Sequence, residues 1–400
     1  MNKPAARART RRSVTSFKSV ALVLQGGGAL GAYQAGVYEG LVEGGVEPTW
    51  LAGISIGAIN SAIIAGNSPQ ERVSKLRCFW ELVSEPRDGG PSSWWTAWLG
   101  GDTVRGWENR ASAAQALVNG VPGFFQPRWP PAYLGVGGIP ATSWYDTSEL
   151  KRTLERLVDF DRINKSITRL SVGAVNVRTG NFAYFDSGSD RIRPEHIMAS
   201  GALPPAFPGV EIDGEIYWDG GLVSNTPLDW VLSARSQLDT LVLQVDLWSA
   251  RGELPRDLVQ VAVRMKEIQF SSRTRAATDE FRRAQALRRT FNELLDKMPE
   301  ELKKTPEARL LFEASGVSSH NIVQLIYRSP TYEGQSKDYE FSRRTMEEHW
   351  RAGRRDAANT LGHSEVLTPP DTPFGLGVFD FTTPRAAPAS DYEEIANETR

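Results

Sequence analysis

Residues 20–65 read VALVLQGGGALGAYQAGVYEGLVEGGVEPTWLAGISIGAINSAIIA, and this stretch decides the fold class. Val20 to Leu24 is a short unbroken apolar run that meets glycines, the pattern of a strand buried on both faces. Gly31 to Val42 reads as a helix ended by Gly44-Gly45. Thr49 to Ile54 is a second buried strand, and Ile56 to Ala65 a second helix ended by Gly66-Asn67. Strand, helix, strand, helix at this spacing indicates a parallel sheet with helices on its faces, an α/β fold.

Further strands are expected at Leu170 to Val177 and Asn181 to Phe185, joined by a turn at Thr179-Gly180. Val210 to Trp218 reads as a hairpin turning at Asp213-Gly214, and Leu241 to Val245 as another buried strand. Residues 86–145 form a weakly periodic insertion rich in Gly, Pro and aromatic residues. Five of the 12 Trp fall there between 94 and 129, a weight that suits either a lid at a lipid interface or the packing of a large loop. Residues 257–298 are helical in period, with Leu258, Val261, Met265, Ile268, Leu287, Phe291 and Leu294 on the apolar side. Arg273, Arg275, Arg282, Arg283, Arg288 and Arg289 give the same segment a basic face, read as a solvated helix surface or a contact for anionic headgroups. A strand at Asn321 to Tyr327 and a helix around Ser342 to Leu361 follow. The expected organisation is a disordered basic arm over 1–18 and a catalytic domain over 19–248. A mainly helical accessory region over 249–365 and a loosely ordered tail over 366–400 complete it.

Composition bounds the function. The net charge of −2 exerts no general pull on nucleic acid. One cysteine excludes an intramolecular disulfide, and four histidines without cysteine pairs show no metal-site spacing. The apolar run after the basic arm is too short for a signal peptide, and no stretch approaches the roughly 18 apolar residues of a membrane span. The pattern therefore suits a cytoplasmic protein whose contact with a membrane is peripheral.

Three motifs carry chemistry. Gly26-Gly27-Gly28-Ala29-Leu30-Gly31 follows a strand and opens a helix, so that backbone N–H groups converge on one point. Such a nest suits an oxyanion or a phosphate. Gly53-Ile54-Ser55-Ile56-Gly57 places a serine on a strand-to-helix turn, either as an exposed nucleophile or as a helix N-cap. Asp219-Gly220-Gly221 ends a strand and alone reads as turn chemistry. His196 is the only histidine inside the α/β segment and lies in no catalytic motif, so a carboxylate is the economical base for Ser55.

Together the three motifs, in this order and spacing, resemble the patatin-like phospholipases. Ala199 to Pro208 is similar to a block that family carries before its aspartate, and the likeness covers about residues 19–248. The resemblance implies a three-layer α/β/α sandwich with a mostly parallel central sheet. It also implies a Ser–Asp dyad of Ser55 and Asp219, an oxyanion hole from Gly26, Gly27 and Gly28, and motif glycines Gly31, Gly53, Gly57, Gly220 and Gly221. Gln25 departs from the acidic or small residue that some members carry there, which bears on the edge of the site. The region after about 260 resembles a C-terminal extension of a bacterial subset. The implied activity is hydrolysis of lipid acyl esters through an acyl-enzyme, with no metal or organic cofactor. The same dyad also serves acyltransferases and thioesterases. A nicotinamide-dependent enzyme would need an acidic residue ending the second strand, where Gly53-Ile54-Ser55 stands and Glu47 lies too early. A non-catalytic lipid-binding protein is the remaining alternative.

Overall fold

The structure is a computed structural model, and it describes residues 14–85, 102–129, 142–234, 238–316, 318–372 and 374–382. Its strands are β1 Ser19–Leu24, β2 Trp50–Gly53, β3 Gln126–Pro127, β4 Tyr145–Asp146, β5 Arg169–Asn176 and β6 Phe182–Asp186. They continue as β7 Val210–Ile212, β8 Glu215–Asp219, β9 Thr240–Asp246, β10 His320–Ile326 and β11 Leu376–Asp380. The helices are α1 Gly31–Glu43, α2 Ile56–Ala65, α3 Arg72–Val83, α4 Asp102–Asn119, α5 Ser148–Leu157, α6 Phe160–Lys165 and α7 Pro194–Ser200. Then come α8 Leu228–Ser233, α9 Leu258–Phe270, α10 Thr274–Lys297, α11 Glu300–Lys303, α12 Pro306–Ala314 and α13 Arg343–Leu361.

One sheet runs β11-β10-β9-β1-β2-β5-β8-β7, with β6 also paired to β5. The pairings from β11 through to β5 are parallel, and β6, β7 and β8 make the antiparallel end. Alternation along β1 shows why helices cover both faces. Val20, Leu22 and Leu24 join a core with residues of α1, α2 and α13, whereas Ala21 and Val23 point to residues of α8 and α10. The chain is therefore a three-layer α/β/α sandwich, as the family resemblance implies. Helix α2 is buried along its whole length, in keeping with its apolar residues all round.

The sheet does not stop at residue 248. Strand β10 pairs with β9 over His320↔Thr240 to Ile326↔Asp246, and β11 extends β10 from within the segment expected as a loose tail. Helix α13 packs on α1 at very short range. A methyl group on Gly36 would meet the Trp350 carbonyl at 1.9 Å, and one on Gly353 the Tyr33 carbonyl at 2.1 Å. Residues 249–382 are mainly helical, as expected, and in addition their strands β10 and β11 join the sheet and its larger core. The composition shift after Trp248 gave no view of this, because a strand returning to the far edge of a sheet leaves no local mark of its partner.

The arm expected over 1–18 is ordered at its carboxyl end. Thr15 and Ser16 donate hydrogen bonds to the Leu367 carbonyl and Phe17 is buried in the core, while residues 1–13 lie outside the described residues. The insertion contains the 18-residue helix α4, and Phe124 and Phe125 pack against Phe207 and Tyr145. Trp94, Trp95 and Trp98 lie outside the described residues.

Candidate active site

Parallel strands carry their sites at the carboxyl edge, where strand order reverses. Strand β1 is that point: β2 and β5 lie to one side, β9, β10 and β11 to the other. The glycine loop leaves its carboxyl end and the serine turn leaves the carboxyl end of β2. Glu47 precedes β2 and so sits at the opposite edge, where it pairs with Arg72 at 3.0 Å. That removes the carboxylate a dinucleotide site would need.

Ser55 stands between β2 and α2 with φ 55° and ψ −123°, a conformation costly for any residue but glycine. Its side chain does not cap α2. The flanking glycines are required by crowding. A methyl group on Gly53 would meet the Gly57 carbonyl at 2.4 Å, and one on Gly57 the Leu24 carbonyl at 2.2 Å. The Ser55 N–H donates to Ser200 Oγ at 3.0 Å.

Sheet register brings Asp219 to this serine. Strand β6 pairs along one edge of β5; on the other edge Gly53 of β2 pairs with Val172 and, two residues further on, Asp219 of β8 pairs with Ala174. Two residues beyond the Gly53–Val172 level therefore lie both Ser55 and Asp219. The Asp219 carboxylate is fully buried. It accepts a hydrogen bond from the Ser55 side chain and, at 2.7 Å, one from the Gly221 N–H. Burial outweighs both bonds and pushes its pKa up to about 7. Gly220 passes so close to β5 that a methyl group would meet the Gly173 carbonyl at 2.7 Å.

The glycine loop closes the site. A methyl group on Gly26 would lie 3.1 Å from Ser55 Cβ and 2.3 Å from Asn225 Oδ1. The Gly26 N–H, however, already donates to the Asn225 carbonyl at 3.2 Å. Gly26 thus leaves the set of oxyanion donors expected from the motif. Gly27 and Gly28 begin a 3-10 turn, where N–H groups have no preceding carbonyl to reach. Their N–H groups have no protein acceptor among the described residues. Gly28 has φ 55° and lies against the Asp338 carbonyl, which accepts the Ala29 N–H at 2.8 Å. Gly31 lets α1 approach Ile56 and Trp80.

Two residues that the motifs do not single out hold this loop. Gln25 is fully buried. Its Oε1 accepts from Leu247 N at 2.7 Å and Trp248 N at 2.9 Å, and its Nε2 donates to Thr226 Oγ1 and the Phe270 carbonyl. The expectation that Gln25 touches only the edge of the site is therefore corrected: it ties the loop to β9. Asn225 Nδ2 donates to the carbonyls of Gly26 and Phe270. Its place four residues after Gly221 was visible, but nothing local marks it.

His196 is buried on α7, where its Nδ1 accepts the Arg193 N–H at 2.9 Å and its ring lies 4.5 Å from Phe185. Burial first, then the Arg193 charge, holds its pKa below the usual value. It closes a helix terminus and is not bonded to the serine. Among the described residues no group of His, Cys, Asp or Glu is arranged to hold a metal, and no helix is long and apolar enough to cross a membrane.

Residues 22–232 match the patatin-like phospholipase family, more than half of the chain, and residues 268–373 match a patatin phospholipase family. The chain belongs to the patatin-like phospholipase family. Membership of that family supports a lipid acyl hydrolase acting on a lipid substrate. No curated protein matches the sequence significantly. The fold is similar to that of VipD from Legionella pneumophila, with 14% identity, 87% of this chain and 67% of that one covered, and a TM-score of 0.38. It is also similar to the type III effector ExoU, with 14% identity, 87% and 53% covered, and a TM-score of 0.29. This patatin-like chain thus spans about half the length of the second.

Proposed function

We propose that this patatin-like protein hydrolyses lipid acyl esters with Ser55 as nucleophile, Asp219 as general base, and the N–H groups of Gly27 and Gly28 as oxyanion donors. The observation that carries the reading is the buried Asp219 carboxylate, bonded to the Ser55 side chain and raised to about 7 by its burial. A carboxylate at its ordinary value of 3.8 is a poor acceptor for a hydroxyl proton. Burial brings its basicity to the pH at which such chemistry runs.

Asp219 takes the Ser55 proton as Oγ forms a bond to the ester carbonyl carbon. The carbonyl electron pair moves to oxygen, which the two N–H groups receive. Collapse expels the alcohol, which leaves with the proton from Asp219, and an acyl-Ser55 remains. Water then gives a proton to Asp219 and attacks the acyl carbon. Collapse frees the carboxylic acid and returns the proton to Ser55 Oγ. An organophosphonate should label Ser55 alone, seen by peptide mass, and Ser55→Ala should lose both label and hydrolysis while keeping its fold. Labelling at another residue would overturn the assignment.

A further inference from the structure

Helix α9 is amphipathic with its sides reversed. The sequence places Leu258, Val261, Met265 and Ile268 on one face, and a globular chain would turn that face to its core. Here they are 86%, 45%, 64% and 59% exposed, and no residue of α9 is buried. At about 100° per residue the four fall within an arc of about 80°. Val263, Arg264 and Glu267, turned away from that arc, line a cleft of about 710 Å³ beneath the helix. Arg264 and Lys337 both pair with Glu267 there. Polar contacts therefore hold the helix from below, and its apolar stripe faces outward. Leu254, 88% exposed, lies just before the helix and lines the same cleft.

Charge says what covers it. Six Arg or Lys side chains line the cleft against three carboxylates, and Arg328 is paired with Asp380 outside it, leaving an excess of two positive charges beside the stripe. Exposed Arg256 precedes α9, and exposed Arg273 and Arg275 follow it. An apolar stripe flanked by cations fits the boundary of an anionic bilayer. It fits a second copy of this chain less well, because both copies would bring the same positive charge.

Position ties the stripe to the site. The helix ends at Phe270, whose carbonyl accepts from Gln25 Nε2 at 3.0 Å and Asn225 Nδ2 at 2.8 Å. Lys266 of the same helix binds the Asp338 carboxylate at 2.6 Å, and the Asp338 carbonyl receives the Ala29 N–H. A surface seated on α9 would thus lie next to the residues that hold the glycine loop.

We infer that α9 is a docking helix for an anionic lipid surface, with Leu258, Val261, Met265 and Ile268 inserting and the flanking arginines meeting headgroups. This deepens the lipid-hydrolase reading and rests on it for its purpose. The test reads binding in Ser55→Ala protein, so that failure of the hydrolytic assignment leaves the result intact. Cosedimentation with mixed phosphatidylcholine–phosphatidylglycerol vesicles should show binding that weakens in high salt and on pure phosphatidylcholine. The triple variant Val261→Gln, Met265→Gln, Ile268→Gln should bind at least about tenfold more weakly. Its fold, followed by circular dichroism, should be native because no replaced side chain is buried. With Ser55 restored, its hydrolysis of a short soluble ester should stay within about twofold of wild type, whereas hydrolysis of vesicle lipid should fall. Failure of the wild type to bind vesicles, or equal binding by the triple variant, would overturn the inference. A stable dimer by light scattering that the triple variant dissolves, without vesicle binding, would assign the face to a second copy instead.

Discussion

Replacing Asp219 with Asn should separate what burial does to stability from what it does to catalysis. Raising a carboxyl from 3.8 to about 7 corresponds to about 4 kcal/mol between its two protonation states. The folded value lies above the unfolded one, so the folded chain holds the proton more tightly. This contribution is full at pH below about 4, shrinks by about 1.4 kcal/mol per pH unit as pH rises, and is gone above about 7. Asn keeps the shape and carries no charge. Asp219→Asn should therefore match wild type near pH 4 and exceed it at pH 8 by up to about 4 kcal/mol in urea unfolding. Asp246 is the internal control. It too is buried and, despite bonds from Ser272 and Gln244, is pushed up to about 7. Asp246→Asn should give a gain of the same sign without touching the dyad. The rates divide the two. Wild-type hydrolysis of a soluble ester should rise about tenfold per pH unit below about 7 and then level, as Asp219 ionises. Asp246→Asn should keep that profile, and Asp219→Asn should lose about 10²–10⁴ in kcat together with the profile. Near wild-type turnover in folded Asp219→Asn, or an unchanged pH profile, would refute Asp219 as the base. A stability difference between pH 5 and pH 8 left intact in the double Asn variant would refute the burial argument.

Gly28→Ala forces a methyl group onto the Asp338 carbonyl at 2.1 Å in a left-handed backbone, so soluble-ester kcat should fall by about 10² or more. Gln25→Leu strands the N–H groups of Leu247 and Trp248 and should cost about 2–6 kcal/mol in urea unfolding, at 1–3 for each. Ser200→Ala removes the acceptor of the Ser55 N–H and should cost about 1–3 kcal/mol, with kcat reduced and organophosphonate labelling of Ser55 slowed in parallel. His196→Ala loses the Arg193 cap and a buried ring, so its melting temperature should drop while kcat per folded molecule stays within about threefold of wild type. A hundredfold loss there would point to a Ser–His mechanism.

The fold was legible where its cause is local. Apolar runs ending at glycines gave β1, α1, β2 and α2 to within a residue or two, since burial on both faces leaves no room for polar interruption. The hairpin at Asp213-Gly214 and the strands β5, β6 and β9 were visible for the same reason. What escaped depends on residues far apart in sequence. That β10 and β11 continue the sheet beside β9 follows from edge pairing and from the glycine contacts of α1 with α13, neither of which a window of sequence contains. At the site, the glycines and Ser55 announce themselves because backbone crowding restricts their identity. Asn225 and Gln25 do not, because a side-chain amide holding a loop looks locally like any other amide.

Helix α9 shows the limit most sharply, and also why the limit is informative. Its period is legible in the sequence and its destination is not, since periodicity says that one face is apolar and not what covers it. A chain that buries Leu22, Leu24 and Ile56 almost completely has no difficulty covering apolar side chains. Leaving four of them outward on one helix, above a cleft with excess positive charge, needs a cause outside the core. An interface supplies it. An acyl hydrolase of lipids works on a substrate whose chains prefer not to leave their surface, so the enzyme must present its carboxyl edge to that surface. Docking through α9 would do so, because the helix ends on the carbonyl that holds Gln25 and Asn225, and these hold the turn of Gly26, Gly27 and Gly28 against Ser55.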